Sequence, residues 1–348
     1  MKRIYVGLSG GVDSSVAAAL LKQQGYEVVG VYMKNWSRDL PGMPCPWKVD
    51  YQDAKRVAVQ LGIEFKLYDF EKQYQQKVVD YMLDGFKAGI TPNPDIMCNQ
   101  EIKFKLFLDT ALDDGADMIA TGHYASVKDG QLLMAADDNK DQTYFLYRVS
   151  QAALKKTVFP LGSYTKPQVR ELARQFNLVT ADKNESMGIC FVGKIGIKDF
   201  LRQYVDEQPG AIIDQAGNRI GTHDGAIFYT IGQRHGLEVG GGLPYYVTGK
   251  DMVKNEVYVT TDLQDEKLWS RQVKLTSTHW IDNEPESKTK LSVRTRHRAK
   301  LTPVKLLNRL SNSQWLAELE EDVRALTPGQ SAVFYADGKC LGGGIVTV

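Results

Sequence analysis

The residues at positions 9–15 read Ser-Gly-Gly-Val-Asp-Ser-Ser and follow directly on an apolar run at positions 4–8. The two glycines allow a tight turn and a close approach to an anion, and the serine hydroxyls can bond to phosphate oxygens. The apolar residues at 16–21 predict a helix whose N-terminal amides point at the same place. The segment therefore predicts a phosphate-binding strand, loop and helix.

This loop is not a Walker A motif, because no lysine follows its glycines. A near match at positions 188–195 is dismissed, since Ile195 stands where a hydroxyl that binds Mg²⁺ is needed and no clear strand precedes it. The opening loop instead resembles the PP-loop of the ATP pyrophosphatases. That resemblance implies that ATP is cleaved between its α and β phosphates and that AMP is transferred to an oxygen. The motif indicates the cofactor but not the substrate.

A second candidate site lies at positions 93–99, where Asp95 stands three residues before Cys98. Pro92 and Pro94 stiffen the segment and remove two amide donors, which predicts a defined loop directly ahead of a helix. A thiol near a helix N-terminus commonly has a lowered pKa and reacts as a thiolate. A buried, inert Cys98 is the alternative interpretation.

The other three cysteines are Cys45, Cys190 and Cys340. No two cysteines form a C-x-x-C pair or have zinc-finger spacing, so neither a zinc site nor a disulfide scaffold is expected. Taken alone, Cys190 has the apolar neighbours of a buried core thiol. Cys45 is expected to be incidental in a loop, and Cys340 to be structural in a C-terminal strand.

Two polar segments of the N-terminal half are further candidates. His123 follows the apolar residues 118–120, and a place at the carboxyl end of a strand favours a functional role over a core histidine. The polar run at 140–142 precedes an aromatic segment, and its polar face could meet either a ligand or only solvent.

A basic segment stands at positions 293–300, where every second residue is an arginine or a lysine. Read as a strand, it places four cations on one face: Arg294, Arg296, Arg298 and Lys300. Guanidinium groups bind phosphate in a bidentate manner, which favours a nucleic-acid face. The alternative is a solvated strand edge that resists aggregation.

These groups must be positioned by more than one domain. Strands alternate with helices from residue 1 to about 205, which predicts an α/β domain with a Rossmann-like parallel sheet and a nucleotide site at the carboxyl ends of its strands. Within it, Asp129-Gly130 predicts a hairpin. Short β-rich segments then predict a small central domain over 206–270 and a β-barrel over 271–348.

The bulk composition of the 348 residues is ordinary, with 43% hydrophobic and 24% charged residues and a net charge of +1. Any binding of nucleic acid must therefore come from a local basic patch. No apolar stretch approaches the roughly 18 residues of a membrane span. No targeting segment precedes the first strand, so a cytoplasmic protein without a membrane partner is expected.

The chain as a whole resembles the tRNA-specific 2-thiouridylase family, which converts the wobble uridine of certain tRNAs to 2-thiouridine. The likeness runs from end to end, and the segment at 93–98 together with the Gly-Ile-Cys at 188–190 is its most specific part. The matching segments are 7–15, 33–36, 91–99, 102–104, 121–125, 141–146, 188–193, 232–237, 327–331 and 340–344.

The resemblance implies three sets of site residues. ATP would be held by Gly7, Leu8, Ser9, Gly10, Gly11, Val12, Asp13, Ser14, Met33 and Gly122. The target base would face Asn93, Pro94 and Asp95, and the remaining tRNA contacts would be His123, Lys140, Asp141, Gln142, Arg296, His297 and Gln330. Cys98 corresponds to the nucleophile, Cys190 to the carrier of a persulfide, and Asp95 is placed to act as general acid and base.

The implied reaction begins with adenylation of the C2 oxygen of uracil by ATP with Mg²⁺. Cys190, loaded with a persulfide by a sulfur-donor protein, then delivers its terminal sulfur, either directly to C2 or after Cys98 has released hydrosulfide. A third variant holds an iron–sulfur cluster on Cys98, Cys190 and Asp95. The flipped base leaves a single-stranded anticodon loop, which costs little.

Two departures from the family pattern stand at His297, where a tyrosine is usual, and at Glu185, where an aspartate is common. Two other functions compete with this reading. One is a PP-loop enzyme that adenylates a small molecule and transfers nitrogen, which needs no cysteine pair. The other is an RNA-binding protein with a vestigial nucleotide fold.

Overall fold

The computed structural model describes residues 1–39, 45–184, 196–237, 239–240, 242 and 244–347. Cys190 and Glu185 lie outside the described residues. The strands up to residue 200 are β1 (Arg3–Gly7), β2 (Glu27–Lys34), β3 (Glu64–Asp69), β4 (Met118–Ala120), β5 (Ser126–Lys128), β6 (Gln131–Leu133) and β7 (Thr157–Val158).

α-Helices and two π-helical stretches surround these strands. The α-helices are α1 (Val12–Gln23), α2 (Trp47–Leu61), α3 (Glu71–Tyr74), α4 (Asp80–Lys87), α5 (Pro94–Met97), α6 (Phe107–Asp113), α7 (Thr143–Leu146), α8 (Gln151–Lys155), α9 (Lys166–Gln175) and α10 (Ile197–Leu201). π-Helical turns at Gln75–Val79 and Cys98–Leu106 join α3 to α4 and α5 to α6. Among the described residues, no helix has both the length and the apolar character needed to cross a membrane.

Strand β1 lies at the centre of a parallel sheet with the order β3-β2-β1-β4-β7. Ile4, Tyr5 and Val6 are fully buried, as expected for a parallel strand covered on both faces. Tyr5 enters the core on one side of the sheet, whereas Ile4 and Val6 pack on the other side with α1 and α2. The apolar run at the start of the sequence is thus the axis of the N-terminal domain.

Strands β5 and β6 form the hairpin predicted from Asp129-Gly130. Both turn residues have positive φ angles, 53° and 78°, as a type I′ turn requires. The hairpin does not join the parallel sheet. Instead, β6 pairs with the last strand of the chain, so that Leu133 lies opposite Lys339.

The following segment forms a separate four-stranded sheet. Its strands are β8 (Gly210–Ile213), β9 (Arg219–His223), β10 (Tyr246–Asp251) and β11 (Glu256–Thr260), in the order β10-β11-β8-β9. Short 3₁₀ turns lie at Ala226–Phe228 and Glu266–Leu268. This sheet lies within residues 210–260.

The C-terminal strands close into a six-stranded antiparallel barrel. They are β12 (Trp269–Trp280), β13 (Leu291–Arg294), β14 (Thr302–Arg309), β15 (Trp315–Arg324), β16 (Ser331–Ala336) and β17 (Lys339–Thr347). The order is β12-β15-β14-β13-β16-β17, and pairing of β12 with β17 completes the ring around a core that includes Val293 and Phe334. The predicted fold class, a Rossmann-like α/β sheet followed by a C-terminal β-barrel, is confirmed.

The prediction of a single strand over 293–300 is wrong. Strand β13 ends at Arg294, and the chain then turns, with Arg298 at a φ of 63°. The alternation therefore does not create one face of cations. Arg294 is buried, and Arg296 and Arg298 bond to backbone carbonyls of other segments.

Candidate functional site

The glycine-rich loop between β1 and α1 lies at the carboxyl edge of the parallel sheet, where the sequence predicts it. Gly10 has a φ of 74°, and a Cβ there would lie 2.3 Å from the carbonyl oxygen of Asp50. Gly11 is the N-cap of α1 and has extended backbone angles. The loop thus brings bare backbone to the start of a helix, which is the arrangement that binds phosphate.

The serine hydroxyls hold this loop in shape. Ser14 Oγ accepts a hydrogen bond from the backbone nitrogen of Ser9 (3.1 Å) and donates to the carbonyl of Gly11 (3.2 Å). Ser15 is fully buried, and its Oγ also donates to Gly11 (2.7 Å). These bonds are internal, so the backbone amides of the first turn of α1, together with the exposed Ser9, are available to an anion.

The other residues implied to hold ATP lie beside the same loop. A Cβ on Gly7 would lie 3.0 Å from Cε of Met33. A Cβ on Gly122 would lie 2.7 Å from the backbone nitrogen of Ser14. Three strand ends, those of β1, β2 and β4, therefore converge on one place.

Two lysines near the loop escaped the sequence reasoning. Lys166 Nζ is 2.7 Å from Asp13 Oδ1. Lys183 Nζ bridges Asp50 (2.8 Å) and Asp53 (2.7 Å). Burial lowers the pKa of Lys183, but the two carboxylates outweigh it and raise that pKa overall. Neither lysine belongs to a motif, and only the fold brings them beside the loop.

The segment around Cys98 is a helix rather than the predicted loop. The helix begins at Pro94, and the Asn93 side chain caps it by accepting a hydrogen bond from the Ile96 amide (3.3 Å). Asp95 lies in the first turn and is half-buried. Asparagine followed by proline is a known signal for a helix start, so the start of this helix was readable in the sequence, although the two prolines also suit a loop.

Cys98 begins the π-helical stretch and is 1% exposed. π-Helical turns are rare and occur frequently at functional sites. The neighbouring Asn99 is 2% exposed, and its Nδ2 donates to the carbonyl of Phe145 (3.0 Å). Its Oδ1 has no hydrogen-bond partner among the residues that the structure describes. A buried thiol and an unsatisfied buried acceptor therefore stand side by side.

Three parts of the chain meet immediately before this helix, at Thr91. Its backbone nitrogen donates to Pro328 (2.8 Å), and its carbonyl accepts from Gln330 Nε2 (2.8 Å). Its hydroxyl is 3.2 Å from that of Thr230 in the central region. The barrel and the central sheet thus fix the approach to Asn93.

Arg296 and His297 of the barrel lie at the same junction. Arg296 donates to the carbonyls of Ala325 (2.6 Å) and Ile231 (3.2 Å). The ring of His297 packs on Phe145, with the centroids 4.5 Å apart, so an aromatic contact persists where the family pattern has a tyrosine. Burial, aided by neighbouring cations, lowers the pKa of His297 to about 4, which keeps the ring neutral near pH 7.

Asp141 is buried, although the resemblance implies that it contacts tRNA. Its side chain is fully buried and accepts hydrogen bonds from Arg294 (3.0 Å), Thr143 Oγ1 (2.7 Å) and the amide of Ala135 (3.1 Å). The pair with Arg294 ties the N-terminal domain to the barrel. A direct contact of this carboxylate with tRNA would require the two domains to separate.

His123 follows β4 and is buried in the core. It is 8% exposed, its Nδ1 lies 2.8 Å from Thr121 Oγ1, and its ring packs against Phe104 and Phe159. Burial holds its pKa well below the usual value, so the ring is neutral. The position is close to the nucleotide loop through Gly122, but the ring faces the core.

The remaining polar candidates lie near the surface. Lys140 and Gln142 are half-buried, and Gln142 Oε1 accepts from the amide of Tyr124 (2.9 Å). Cys340 is buried, and burial raises the pKa of its thiol, which fits the predicted structural role. Cys45 is half-buried, and its Sγ lies 3.6 Å from the carbonyl of Trp36.

Comparisons with known proteins match the whole chain. Three family models match, described as a tRNA methyl transferase HUP domain over residues 2–194, a tRNA methyl transferase PRC-barrel domain over 198–261 and an aminomethyltransferase β-barrel domain over 270–346. A 4-thiouridine synthetase–RNA complex with bound ATP covers 58% of this chain and 50% of its own at 17% identity, with a TM-score of 0.39.

Curated relatives are much closer in sequence. The tRNA-specific 2-thiouridylases MnmA of Bacillus thuringiensis (strain Al Hakam) and of Geobacillus thermodenitrificans (strain NG80-2) are each 47% identical over 350 aligned residues. Each alignment covers 99% of this chain and 94% of the relative. The chain belongs to the tRNA-specific 2-thiouridylase family.

Proposed function

We propose that this protein is a tRNA-uridine 2-sulfurtransferase that uses ATP to replace the C2 oxygen of the wobble uridine with sulfur. The observation that carries the proposal is the 47% identity, over 99% of the chain, to proteins named tRNA-specific 2-thiouridylase. The glycine-rich loop and the buried Cys98 fit this reaction, because one supplies a phosphate cradle and the other a sulfur nucleophile.

The first step activates the oxygen. The C2 carbonyl of uracil has no leaving group, so its oxygen attacks the α phosphorus of ATP and pyrophosphate departs. The adenylate bonded to C2 then makes AMP the leaving group. Backbone amides at the start of α1 would hold the phosphates. Asp13, whose side chain is 34% exposed beside the loop, offers the carboxylate oxygen that Mg²⁺ prefers, and Mg²⁺ would neutralise the leaving pyrophosphate.

The second step delivers sulfur. The terminal sulfur of a persulfide on Cys190 attacks C2, and the C–O bond breaks to release AMP together with the former C2 oxygen. Cys98 then attacks the sulfur of Cys190, the S–S bond to the transferred sulfur breaks, and its electron pair forms the thiocarbonyl. A disulfide between Cys98 and Cys190 remains, so an external thiol reductant and a sulfur-donor protein must restore the persulfide.

Asp95 is proposed as the general acid and base. It stands one turn before Cys98 on the same helix, and residues three apart lie on one helix face. Proton transfer from Cys98 to this carboxylate would generate the attacking thiolate. Asn93 and Pro94, at the helix start, are proposed to contact the target base.

The tRNA would lie over the junction of the three parts of the chain. Lys140, Gln142, His297 and Gln330 are half-buried there and remain the proposed contacts, with Arg296 beside them. Lys140 supplies positive charge for phosphates, whereas Gln330 holds the backbone ahead of Asn93. His123 and Asp141 are buried behind this surface, and the tRNA contacts that the resemblance implies for them stay predictions.

The test is mass spectrometry of the anticodon nucleoside after incubation with ATP, Mg²⁺, tRNA and a persulfide source. Cys98→Ser and Cys190→Ser should each abolish the mass gain of oxygen-to-sulfur exchange, while the matched control Cys45→Ser keeps it. Activity that survives both substitutions overturns the sulfur-transfer proposal. A methyl-sized mass gain would instead support the methyl transfer that two of the family models' descriptions mention.

Two further measurements separate the competing functions. Exchange of labelled pyrophosphate into ATP that depends on tRNA supports adenylation of RNA, and its absence points to a binding protein. If an anaerobic preparation contains iron and shows a visible absorption band, the persulfide mechanism would be replaced by one that uses an iron–sulfur cluster on Cys98, Cys190 and Asp95.

A further inference from the structure

A loop of the central region at residues 229–237 has no part in the proposed mechanism, yet its backbone is tightly fixed. Gln233 Oε1 accepts from the amide of Thr230 (3.0 Å), and Gln233 Nε2 donates to the carbonyl of His235 (2.9 Å). The hydroxyl of Tyr229 donates to the carbonyl of Gly236 (3.1 Å). The side chains of the loop thus hold it in one conformation.

The loop also contacts Lys250 of β10 and Ala325 of the barrel domain. Lys250 Nζ donates to the carbonyl of Tyr229 (2.9 Å), and burial lowers the pKa of this lysine to about 8. Gly232 has a φ of 82°, and a Cβ there would lie 2.5 Å from Cβ of Ala325. A rigid loop presents its outer side chains at low entropic cost.

Arg234 and His235 are exposed at the tip of this loop. Exposed arginines elsewhere in the protein, such as Arg202 and Arg309, form salt bridges with carboxylates. Arg234 has no salt bridge to any residue that the structure describes. An exposed guanidinium on a fixed backbone, with no salt bridge to the described part of the chain, is suited to an anion from outside the protein.

Beside these side chains is an open cavity of about 390 Å³. Its lining includes Arg234, His235, Leu237, Pro244 and Tyr245. This volume lies at the lower end of the range of pockets that take small ligands. A cation, an aromatic ring and apolar carbon together match a phosphate and an unstacked base.

The loop is continuous with the surface proposed to bind tRNA. Thr230 at its start touches Thr91, two residues before Asn93. Arg296 donates to the carbonyl of Ile231 within the loop. RNA that lies across Arg296 and Asn93 would therefore meet the start of the loop at Thr230 and Ile231.

We propose that the loop at 229–237 is a second tRNA-binding element, in which Arg234 holds a backbone phosphate and the neighbouring cavity takes an unpaired nucleotide. This inference rests on the proposed function, because it requires tRNA as the substrate. It extends substrate binding from the catalytic domain and the barrel to the central region of the chain.

The experiment measures tRNA affinity over a range of salt concentrations, together with KM and kcat for thiolation. Arg234→Ala should weaken tRNA binding roughly five- to tenfold and make the slope of log affinity against log salt shallower by about one. The kcat at saturating tRNA should not change. Tyr245→Leu should weaken binding to a similar degree without a change in the salt slope. Arg174→Ala is the matched control, since Arg174 is an exposed arginine on α9.

Restoration of the salt slope by Arg234→Lys would support a phosphate contact. The inference is overturned if Arg234→Ala and Tyr245→Leu bind tRNA as tightly as the Arg174→Ala control. It is also overturned if Arg234→Ala weakens ATP binding and leaves tRNA binding intact. Failure of the proposed function is distinct, because the unsubstituted protein would then not thiolate tRNA at all.

Discussion

Cutting the buried ion pair between Asp141 and Arg294 tests how the barrel is held on the N-terminal domain. Arg294→Met removes the guanidinium and keeps a side chain of similar length. The Asp141 side chain is 0% exposed, so water cannot take the place of the lost cation. Removing one partner of a buried pair costs about 3–5 kcal/mol, because the other charge stays buried without compensation.

The loss of unfolding free energy expected for Arg294→Met lies at the lower end of this range. Asp141 keeps its hydrogen bonds from Thr143 and Ala135, so about 3 kcal/mol is expected. At about 4–8 °C per kcal/mol for a domain of roughly this size, the midpoint of the transition that unfolds the barrel should fall by roughly 12–24 °C. Differential scanning calorimetry is the suitable assay, because a chain of several domains need not unfold in one step.

Two controls make this prediction decisive. Asp141→Asn combined with Arg294→Met removes both charges and should recover most of the loss. Arg309→Met cuts an exposed pair with Glu284 and should cost less than about 1 kcal/mol. If Arg294→Met shifts the midpoint no more than Arg309→Met does, the reasoning from buried charge is refuted.

Three further predictions follow from the site. Gly10→Ala should abolish ATP binding measured by calorimetry, because its φ of 74° and the Asp50 carbonyl leave no room for a Cβ; Gly217→Ala, at a φ of 85° with open space, is the control that should bind ATP normally. Burial depresses the pKa of His123, so the unfolded chain takes up a proton at this histidine at a higher pH than the folded chain does. The free energy of unfolding should therefore fall as pH drops below about 6.5. An equal fall of the unfolding free energy in His123→Leu would contradict this. Gln330→Ala should lower kcat for thiolation about tenfold through loss of its bond to Thr91, with ATP affinity unchanged, and a change confined to ATP affinity would disprove that role.

The parts of the fold set by local chemistry could be predicted from the sequence. The buried run of β1 and the alternation of strands and helices placed the phosphate loop at the correct edge of the sheet. Asp129-Gly130 gave the hairpin, because two consecutive positive φ angles favour these residue types. Such features depend on neighbours along the chain.

The segment at 93–106 was readable only in part. Asn93 followed by Pro94 predicts a helix start, but the two prolines also suit a loop, and that reading was wrong. The π-helical stretch from Cys98 has no pattern of its own in the sequence, because it differs from an α-helix only in which carbonyl each amide meets.

Partners far apart in the sequence could not be predicted. The alternating segment at 293–300 looks like one cationic face, but Arg294 turns inward to Asp141, 153 positions away. The rings of His123 and His297 are likewise neutral because they are buried against residues of other elements, namely Phe104 and Phe159 for His123 and Phe145 for His297. Burial decides the role of these polar residues, and burial is a property of the assembled domains.

The pairing of the β5–β6 hairpin with β17 has a consequence for synthesis of the chain on the ribosome. About 200 residues separate Leu133 from Lys339, its partner. At 5–20 residues per second, the hairpin edge therefore waits roughly 10–40 s for its neighbour. During that time an open strand edge can pair with another chain, and the last strand to be made is the one that covers it. A nascent chain that stalls before Lys339 is expected to leave this edge uncovered and prone to aggregation.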